Sequence, residues 1–169
     1  MVQKKIQDIY PLSPMQQGML FHSLLEPNSG AYINQTVYEL HGKVDLAAFG
    51  KSWQQLVDRH SILRTAFVWD NLAEPLQVVG TAAKISLIEH NWQEIPLLEQ
   101  QEKLTVFLQE LRTTGFNLNK APLTRLDLIK MRSQVYQFIW TYHHLLLDGW
   151  SVPLLIRELL GYYQSFTQD

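Results

Sequence analysis

Two adjacent histidines, His143 and His144, stand four residues before the pair Asp148-Gly149. An imidazole can remove or share the proton of an amine or alcohol nucleophile. A carboxylate at Asp148 can accept a strong hydrogen bond from a cation and hold the loop still. The N–H of Gly149 lies near a predicted helix start, where it could stabilise an oxyanion. These residue types at this spacing predict an acyl-transfer site.

The elements on either side of this run decide how its side chains are presented. A strand predicted over 134–142 ends at the two histidines, and successive strand side chains point to opposite faces. His143 and His144 should therefore do different jobs, and strand alternation leaves open which of them faces the site. A last helix is predicted to start at a Ser151 cap, with Pro153 in its first turn.

Other site chemistries fit the sequence less well. A histidine pair at a strand end, taken alone, is more typical of a structural role. Zinc requires three converging protein ligands, whereas adjacent strand histidines diverge, so no metal is expected. The sequence lacks the G-x-S-x-G elbow of many hydrolases and the glycine-rich loops that bind nucleotides. We therefore expect no cofactor bound by this chain.

Strands mixed with helices predict the α/β (α+β) class, a mixed sheet with helices packed against it. A capping-box pattern, Ser13 to Gln16, starts a helix that runs to about Leu25, with Met15, Met19 and 21–25 partly buried. The other predicted helices cover 46–57 and 97–112, the latter with Leu97 facing inward and Gly115 as its cap. Further strands are predicted at 35–41, 63–69, 76–79, 84–89 and 123–130.

Composition limits the classes of partner. The 169 residues are 46% apolar, which fits one globular domain over 1–169. The formal net charge is only −2 and is scattered, so neither nucleic acid nor a membrane is an expected partner. There is no cysteine, the first eight residues lack a signal-peptide core, and no apolar run approaches membrane-spanning length. A cytoplasmic protein is the expectation.

Three segments resemble, in order, the motifs of one protein family. The segment 143–151 resembles the core motif of the condensation domains of nonribosomal peptide synthetases, in the superfamily of chloramphenicol acetyltransferase. The segments 13–23 and 59–67 resemble the first and second motifs of the same family. A bare H-x-x-x-D would be weak evidence, but three long motifs span nearly the whole chain. The resemblance implies a chloramphenicol-acetyltransferase-like lobe.

The resemblance also implies an activity and a role for each site residue. The activity is amide-bond formation between an acyl or peptidyl thioester and the α-amino group of an aminoacyl thioester. Both substrates are expected on phosphopantetheine arms, one on a donor and one on an acceptor carrier protein. His144 would be the principal catalytic residue, His143 supportive, and Gly149 would present its amide. Asp148 would be structural, paired with Arg64.

The residues themselves leave parts of this assignment open. The planar guanidinium of Arg64 suits a carboxylate, and the alternative for Arg64 is a solvated strand charge. An α-amino group has a pKa near 8, so much of the acceptor is already neutral at physiological pH. His144 could therefore act as a base or only position the amine. The motifs resemble the L-to-L subtype, and the amino-acid substrates cannot be read from them.

The resemblance covers only the amino-terminal lobe of a two-lobed family. With the carboxy-terminal lobe absent, the site would lack one wall, so we predict little or no activity for the isolated chain. Surface that faces the other lobe would be exposed and would favour self-association. The chain could be an excised lobe, a natural half with a separate partner, or a non-catalytic docking or interaction module. We expect the first.

Overall fold

The structure, a computed structural model, describes residues 5–27 and 29–168. Seven strands lie within these residues: β1 (Ile6–Pro11), β2 (Ile33–His41), β3 (Thr65–Val68), β4 (Leu76–Gly80), β5 (Leu87–Asn91), β6 (Thr124–Arg132) and β7 (Val135–His143). The four α-helices are α1 (Pro14–Leu25), α2 (Leu46–Arg59), α3 (Leu97–Thr114) and α4 (Ser151–Thr167). A short 3-10 helix, Ser61–Arg64, links α2 to β3.

The strands form two sheets. The larger has the order β2-β7-β6-β5, antiparallel except for the parallel pair β5-β6, and the smaller has the order β1-β4-β3. In the larger sheet the register pairs His143 with Ile33, and Tyr142 with both Asn34 and Thr124. The end of β7 therefore lies between the first residues of two neighbouring strands, which fixes the position of the histidine pair.

Alternation along β7 explains why helices cover both faces of the larger sheet. Phe138, Trp140 and Tyr142 belong to the main core with residues of α2 and α4, and Trp140 is fully buried. Ile139 belongs to a second core with Leu111 of α3. The predicted α/β sandwich is confirmed. No helix of the described residues combines the length and the apolar character that crossing a membrane requires.

Local signals located most helices well. Ser13 caps α1 through a capping box with Gln16, as predicted. Gly115 ends α3 with a φ of 58°, a left-handed value that favours glycine. On the amphipathic helix α2, the predicted inward residues include Trp53 and Leu56, and both are fully buried. Hairpin strands β6 and β7 extend one or two residues beyond their predicted ends.

Three strand predictions need correction. The sequence does not predict β1, because its six residues show no apolar alternation. In the structure all six are exposed, and pairing with the distant β4 makes the segment a strand. The segment predicted as a strand from residue 63 begins with the 3-10 helix. β5 begins at Leu87 rather than near residue 84. In each case long-range pairing, which local pattern does not contain, decides the boundary.

Burial on α1 and at the start of α3 is less than predicted. Of the predicted α1 set, Met15, Phe21 and Leu25 are 70%, 62% and 65% exposed, and only Leu20 of α1 is buried. Leu97 on α3, predicted to face inward, is 53% exposed. α1 rests on the molecule along one narrow side, so most of its apolar residues face outward.

Candidate active site

The end of β7 and the turn that follows direct two imidazoles into different cavities. The backbone N–H of His143 donates to the carbonyl of Leu123 at 3.1 Å, and that of His144 donates to the carbonyl of Tyr32 at 2.8 Å. Each histidine is thus tied to a different neighbouring strand, and their side chains line separate cavities. The predicted divergence of the two histidines is confirmed.

His143 is buried, with 3% of its surface exposed, and both of its ring nitrogens are engaged. Nδ1 accepts a hydrogen bond from the backbone N–H of Leu145 at 3.1 Å. Nε2 lies 3.3 Å from Oγ of Ser23, and the Ser23 hydroxyl donates to the carbonyl of Met19 at 2.8 Å. Because the hydroxyl proton points at Met19, His143 must supply the proton between Nε2 and Ser23. His143 therefore carries its proton on Nε2.

The pKa of His143 is lowered to about 4, mainly by burial and in smaller part by the charge of the neighbouring His144. A second proton would have to enter at Nδ1 and would break the bond from the Leu145 amide. His143 is therefore neutral near physiological pH and has no free lone pair for a substrate. His143 instead supports the turn that carries His144, through the hydrogen bond that its Nδ1 accepts from Leu145.

His144 has the opposite arrangement. Its Nδ1 lies 2.7 Å from the carbonyl oxygen of Leu147. A carbonyl only accepts, so Nδ1 carries the proton and Nε2 holds the lone pair in the neutral ring. Among the described residues Nε2 has no hydrogen-bond partner. His144 is half-buried, so this nitrogen is available to a substrate in the adjoining cavity.

The cavity beside His144 has a volume of about 480 Å³ and is open to solvent on one side. It lies between the amino-terminal end of α1 and the loop from β7 to α4. Its lining consists of Ser13, Met15, Gln16, Met19, His144, Leu145, Leu146, Leu147, Asp148 and Ser151. Most of this wall is apolar, and His144 provides the imidazole in it.

Asp148 lies at the exposed start of α4 and acts there as a cap. Its Oδ1 accepts from the backbone N–H of Ser151 at 2.8 Å and from the Ser151 hydroxyl at 2.7 Å. These bonds lower the pKa of the Asp148 carboxyl. The prediction that Ser151 caps α4 is therefore wrong: Ser151 is the first residue of the helix, and Trp150 at the N-cap position makes no side-chain cap bond. Asp148 supplies the oxygen that accepts from the first helical N–H.

The predicted pairing of Arg64 with Asp148 is also wrong. Arg64 is only 6% exposed, and its guanidinium is occupied elsewhere. Its acceptors are the carbonyls of Gly80 at 3.1 Å, Val57 and Asp58, both at 2.6 Å, and Oε1 of Gln7 at 2.9 Å. The residue is structural, as predicted, but it joins the end of α2 to β1 and β4. The alternative of a solvated strand charge is excluded by its burial.

Gln16 connects the first helix to the histidine turn, whereas the sequence marks it as a capping residue within the 13–23 motif and indicates no such contact. Its Oε1 accepts from the backbone N–H of Ser13 at 3.0 Å. Its Nε2 donates to the carbonyl of Leu145 and to Oε1 of Gln77, both at 3.1 Å. Gln77 returns a bond from Nε2 to Oε1 of Gln16 at 3.0 Å. No sequence signal marks a contact between positions 129 residues apart.

A model of the family described as the condensation domain matches residues 6–169. The chain belongs to the condensation-domain family. Its histidine turn, α1 and the 3-10 segment carry the three stretches that resemble the family's motifs.

Several large bacterial synthases contain similar segments. One of the linear gramicidin synthase proteins of Brevibacillus parabrevis is 44% identical over 165 residues, which are 98% of this chain and 3% of that protein. One of the plipastatin synthase proteins of Bacillus subtilis strain 168 is 40% identical over 161 residues, which are 95% of this chain and 4% of that protein. The condensation-domain chain thus spans a small part of the length of the curated relatives it matches.

Solved condensation domains share the fold. The starter condensation domain of rhizomide synthetase RzmA matches with a TM-score of 0.84 at 22% identity, over 96% of this chain and 40% of that one. The first condensation domain of the calcium-dependent antibiotic synthetase matches with a TM-score of 0.82 at 17% identity, again over 96% and 40%. The predicted chloramphenicol-acetyltransferase-like fold is therefore confirmed.

Gly149 in this condensation-domain chain lies in the exposed turn before α4, outside the residues that line the His144 cavity. A Cβ added to Gly149 would have no neighbouring atom within 4 Å. Room for a close backbone approach is therefore present, and the role of its amide stays a prediction. Across residues 5–27 and 29–168, no cluster of three or more metal-ligating side chains occurs.

Proposed function

We propose that this chain is the amino-terminal, histidine-bearing lobe of a condensation domain that forms peptide bonds in nonribosomal peptide synthesis. Its relatives include proteins of the linear gramicidin and plipastatin synthases, which supports this assignment. The chain corresponds to 40% of each of two solved condensation domains. We propose that a carboxy-terminal lobe completes the site by closing over the cavity beside His144.

The state of His144 is the observation that carries the proposal. The Leu147 carbonyl oxygen lies 2.7 Å from Nδ1 of His144 and keeps the ring proton on that nitrogen. The lone pair is then on Nε2, and His144 lines a cavity of about 480 Å³. A lone pair fixed in this way can accept a hydrogen bond from the amine of the acceptor substrate. His143, whose two ring nitrogens are engaged, cannot do so.

The proposed reaction joins two carrier-bound thioesters. The α-amino nitrogen of the acceptor attacks the carbonyl carbon of the donor, forming a C–N bond and a tetrahedral oxyanion. The oxyanion collapses, the C–S bond breaks, and the donor's phosphopantetheine thiol leaves. One amine proton is lost, and His144 Nε2 is placed to receive it and pass it to the leaving sulfur. Because the two substrates are tethered, orientation supplies much of the rate.

Gly149 has a proposed role in the same step. Its amide stands at the start of α4, where backbone N–H groups favour negative charge, and it could donate to the oxyanion. In the isolated chain this turn is exposed and the His144 cavity is open. Water would compete for both groups, so the isolated chain should be nearly inactive.

A chimera tests this function without requiring activity from an isolated lobe. Residues 6–169 would replace the matching condensation segment in the linear gramicidin synthase protein described above, which is 44% identical to the chain over 165 residues. The chimeric domain would be mixed with donor and acceptor carrier proteins loaded with aminoacyl groups. Product on the acceptor carrier would be measured by mass spectrometry, beside the isolated chain and the unaltered domain.

We expect the chimera to form the dipeptidyl product and the isolated chain to form little or none. A chimera that is folded and monomeric by circular dichroism and size exclusion, yet makes no product, would favour the alternative of a docking module derived from a condensation domain. Full activity of the isolated chain would contradict the proposed need for a second lobe.

A further inference from the structure

Two side chains from outside the turn that carries His144 hydrogen-bond to its backbone: His143 at the end of β7, and Gln16 from α1. Residues 144–147 follow β7, and the carbonyl of Leu147 accepts a hydrogen bond from Nδ1 of His144. Within the same turn, the carbonyl of Leu145 accepts from Nε2 of Gln16 at 3.1 Å. The position of the Leu147 acceptor relative to the imidazole therefore depends on how this turn is fixed, and Gln16 is its contact from α1.

Gln16 is itself fixed at both ends of its amide group. Its Oε1 accepts from the backbone N–H of Ser13 and from Nε2 of Gln77, both at 3.0 Å, and its Nε2 donates back to Gln77 at 3.1 Å. Gln77 is 5% exposed and also donates to the carbonyl of Pro11 at 3.3 Å. A side chain with this many partners has little freedom to move.

These bonds connect three separate parts of the fold. Gln16 belongs to α1, Gln77 to β4 of the smaller sheet, and Leu145 to the turn that follows β7 of the larger sheet. Gln16 also lines the cavity into which His144 faces. The Gln16 amide thus links the histidine turn, which follows the larger sheet, to α1 and to β4 of the smaller sheet at the edge of the site.

We infer that Gln16 is a positioning residue for His144: its bond to the Leu145 carbonyl holds the turn so that the Leu147 carbonyl keeps the His144 proton on Nδ1. The inference takes its catalytic meaning from the proposed function. The Nδ1–H tautomer is the less stable form of a free histidine in water, so it persists only while the turn supplies its acceptor. Without Gln16, the ring should revert to the Nε2–H form, and the lone pair would leave the cavity.

The tautomers of the two histidines provide the test. In the native chain, ¹⁵N–¹H correlation spectra of the imidazoles at neutral pH should show His144 as the Nδ1–H form and His143 as the Nε2–H form. Gln16→Leu removes both the donor and the acceptor at similar volume. Gln16→Glu keeps the acceptor for the Ser13 amide and removes the donor to Leu145, so it preserves the helix cap if the leucine variant fails to fold.

The matched control is Gln17→Leu, on the adjacent residue of the same helix. The Gln17 side chain donates to the carbonyl of Leu12, at 3.3 Å, and does not reach the histidine turn. His143 is an internal control in every sample: its Nδ1 bond from Leu145 lies in the same turn, but its Nε2 proton is held by Ser23, which has no bond to Gln16. A general loss of structure would change both histidines, whereas a positioning effect would change His144 alone.

We expect both Gln16 variants to lose the Nδ1–H signature of His144 and to keep the His143 signature, and Gln17→Leu to change neither. A folded Gln16→Leu or Gln16→Glu chain with His144 still in the Nδ1–H form would overturn the inference. In the active chimera, Gln16→Leu should lower kcat about 10- to 100-fold with KM little changed. An inactive native chimera would count against the proposed function, while the spectra would still decide the role of Gln16.

Discussion

His143 and His144 are neighbours in the chain, yet they carry their protons on opposite ring nitrogens. An amide and a serine hold the first in the Nε2–H form, and a carbonyl holds the second in the Nδ1–H form. The sequence predicts that adjacent strand residues diverge, but the tautomers follow from groups at positions 23, 145 and 147. Only the fold brings those groups to the imidazoles.

The buried His143 should make stability depend on pH in a defined window. Its pKa is about 4 in the folded chain and about 6.5 when unfolded, so the unfolded state binds the extra proton between these values. The contribution of neutral His143 to the free energy of unfolding is therefore complete above about pH 6.5. As the pH falls toward 4, the free energy of unfolding decreases by up to about 3 kcal/mol. Urea unfolding of the native chain and His143→Gln from pH 7 to 4 would measure it.

The advantage of the native chain over His143→Gln should shrink across that range. His22→Gln, at an exposed histidine on α1, is the matched histidine-to-glutamine control. A difference between the native chain and His143→Gln that stays constant with pH would show that His143 is not held neutral by burial.

At the scale of elements, α4 begins where the histidine turn ends, and Asp148 joins the two. The family resemblance suggests an ion pair with Arg64, whereas Asp148 bonds Ser151 and Arg64 binds carbonyls near α2. A cap and an ion pair make different predictions for an asparagine, which can accept a hydrogen bond but carries no charge.

Asp148→Asn should unfold close to the native temperature, and Asp148→Ala should lower the melting temperature by a few degrees, as expected for loss of a helix cap. Differential scanning calorimetry would measure both variants. Asp70→Ala, at an exposed aspartate in the turn after β3, is the matched control. Equal losses in the asparagine and alanine variants would instead favour a role for the negative charge.

Periodicity and capping signals identify the four helices and most strands, because these depend on neighbours within a few residues. They do not identify β1, whose strand character comes from pairing with β4. The family resemblance misplaces the partner of Arg64, because a guanidinium suits carbonyls as well as a carboxylate and the sequence cannot rank these acceptors. The identity of His144 as the available imidazole comes from family resemblance and agrees with its geometry.

At the scale of the whole molecule, apolar side chains remain exposed on α1 and α4. Met15, Phe21 and Leu25 on α1, and Trp150 at the start of α4, are between 62% and 87% exposed. Such surface is expected where another part of a larger protein covers it. It agrees with the proposed second lobe, and it predicts that the isolated chain associates with itself.

Analytical ultracentrifugation should show concentration-dependent association of the native chain. Combining Phe21→Ser with Leu25→Ser should weaken it, because both side chains belong to the exposed face of α1. Leu98→Ser is the control, since Leu98 is 79% exposed on α3, which packs against a different core cluster from α1. A native chain that stays monomeric at all concentrations, or a control variant with the same loss, would contradict this prediction.

The proposed reaction requires Nε2 of His144 to act on the amine in the bond-forming step, and a single-turnover rate measures that contribution directly. In the active chimera, His144→Ala should lower the rate of amide formation by roughly 10²- to 10⁴-fold if the ring takes the proton, and by less if it only positions the amine. His22→Ala, at an exposed histidine outside the cavity lining, should leave the rate unchanged. A folded His144→Ala chimera that forms the amide at the native rate would contradict a role for His144 in bond formation.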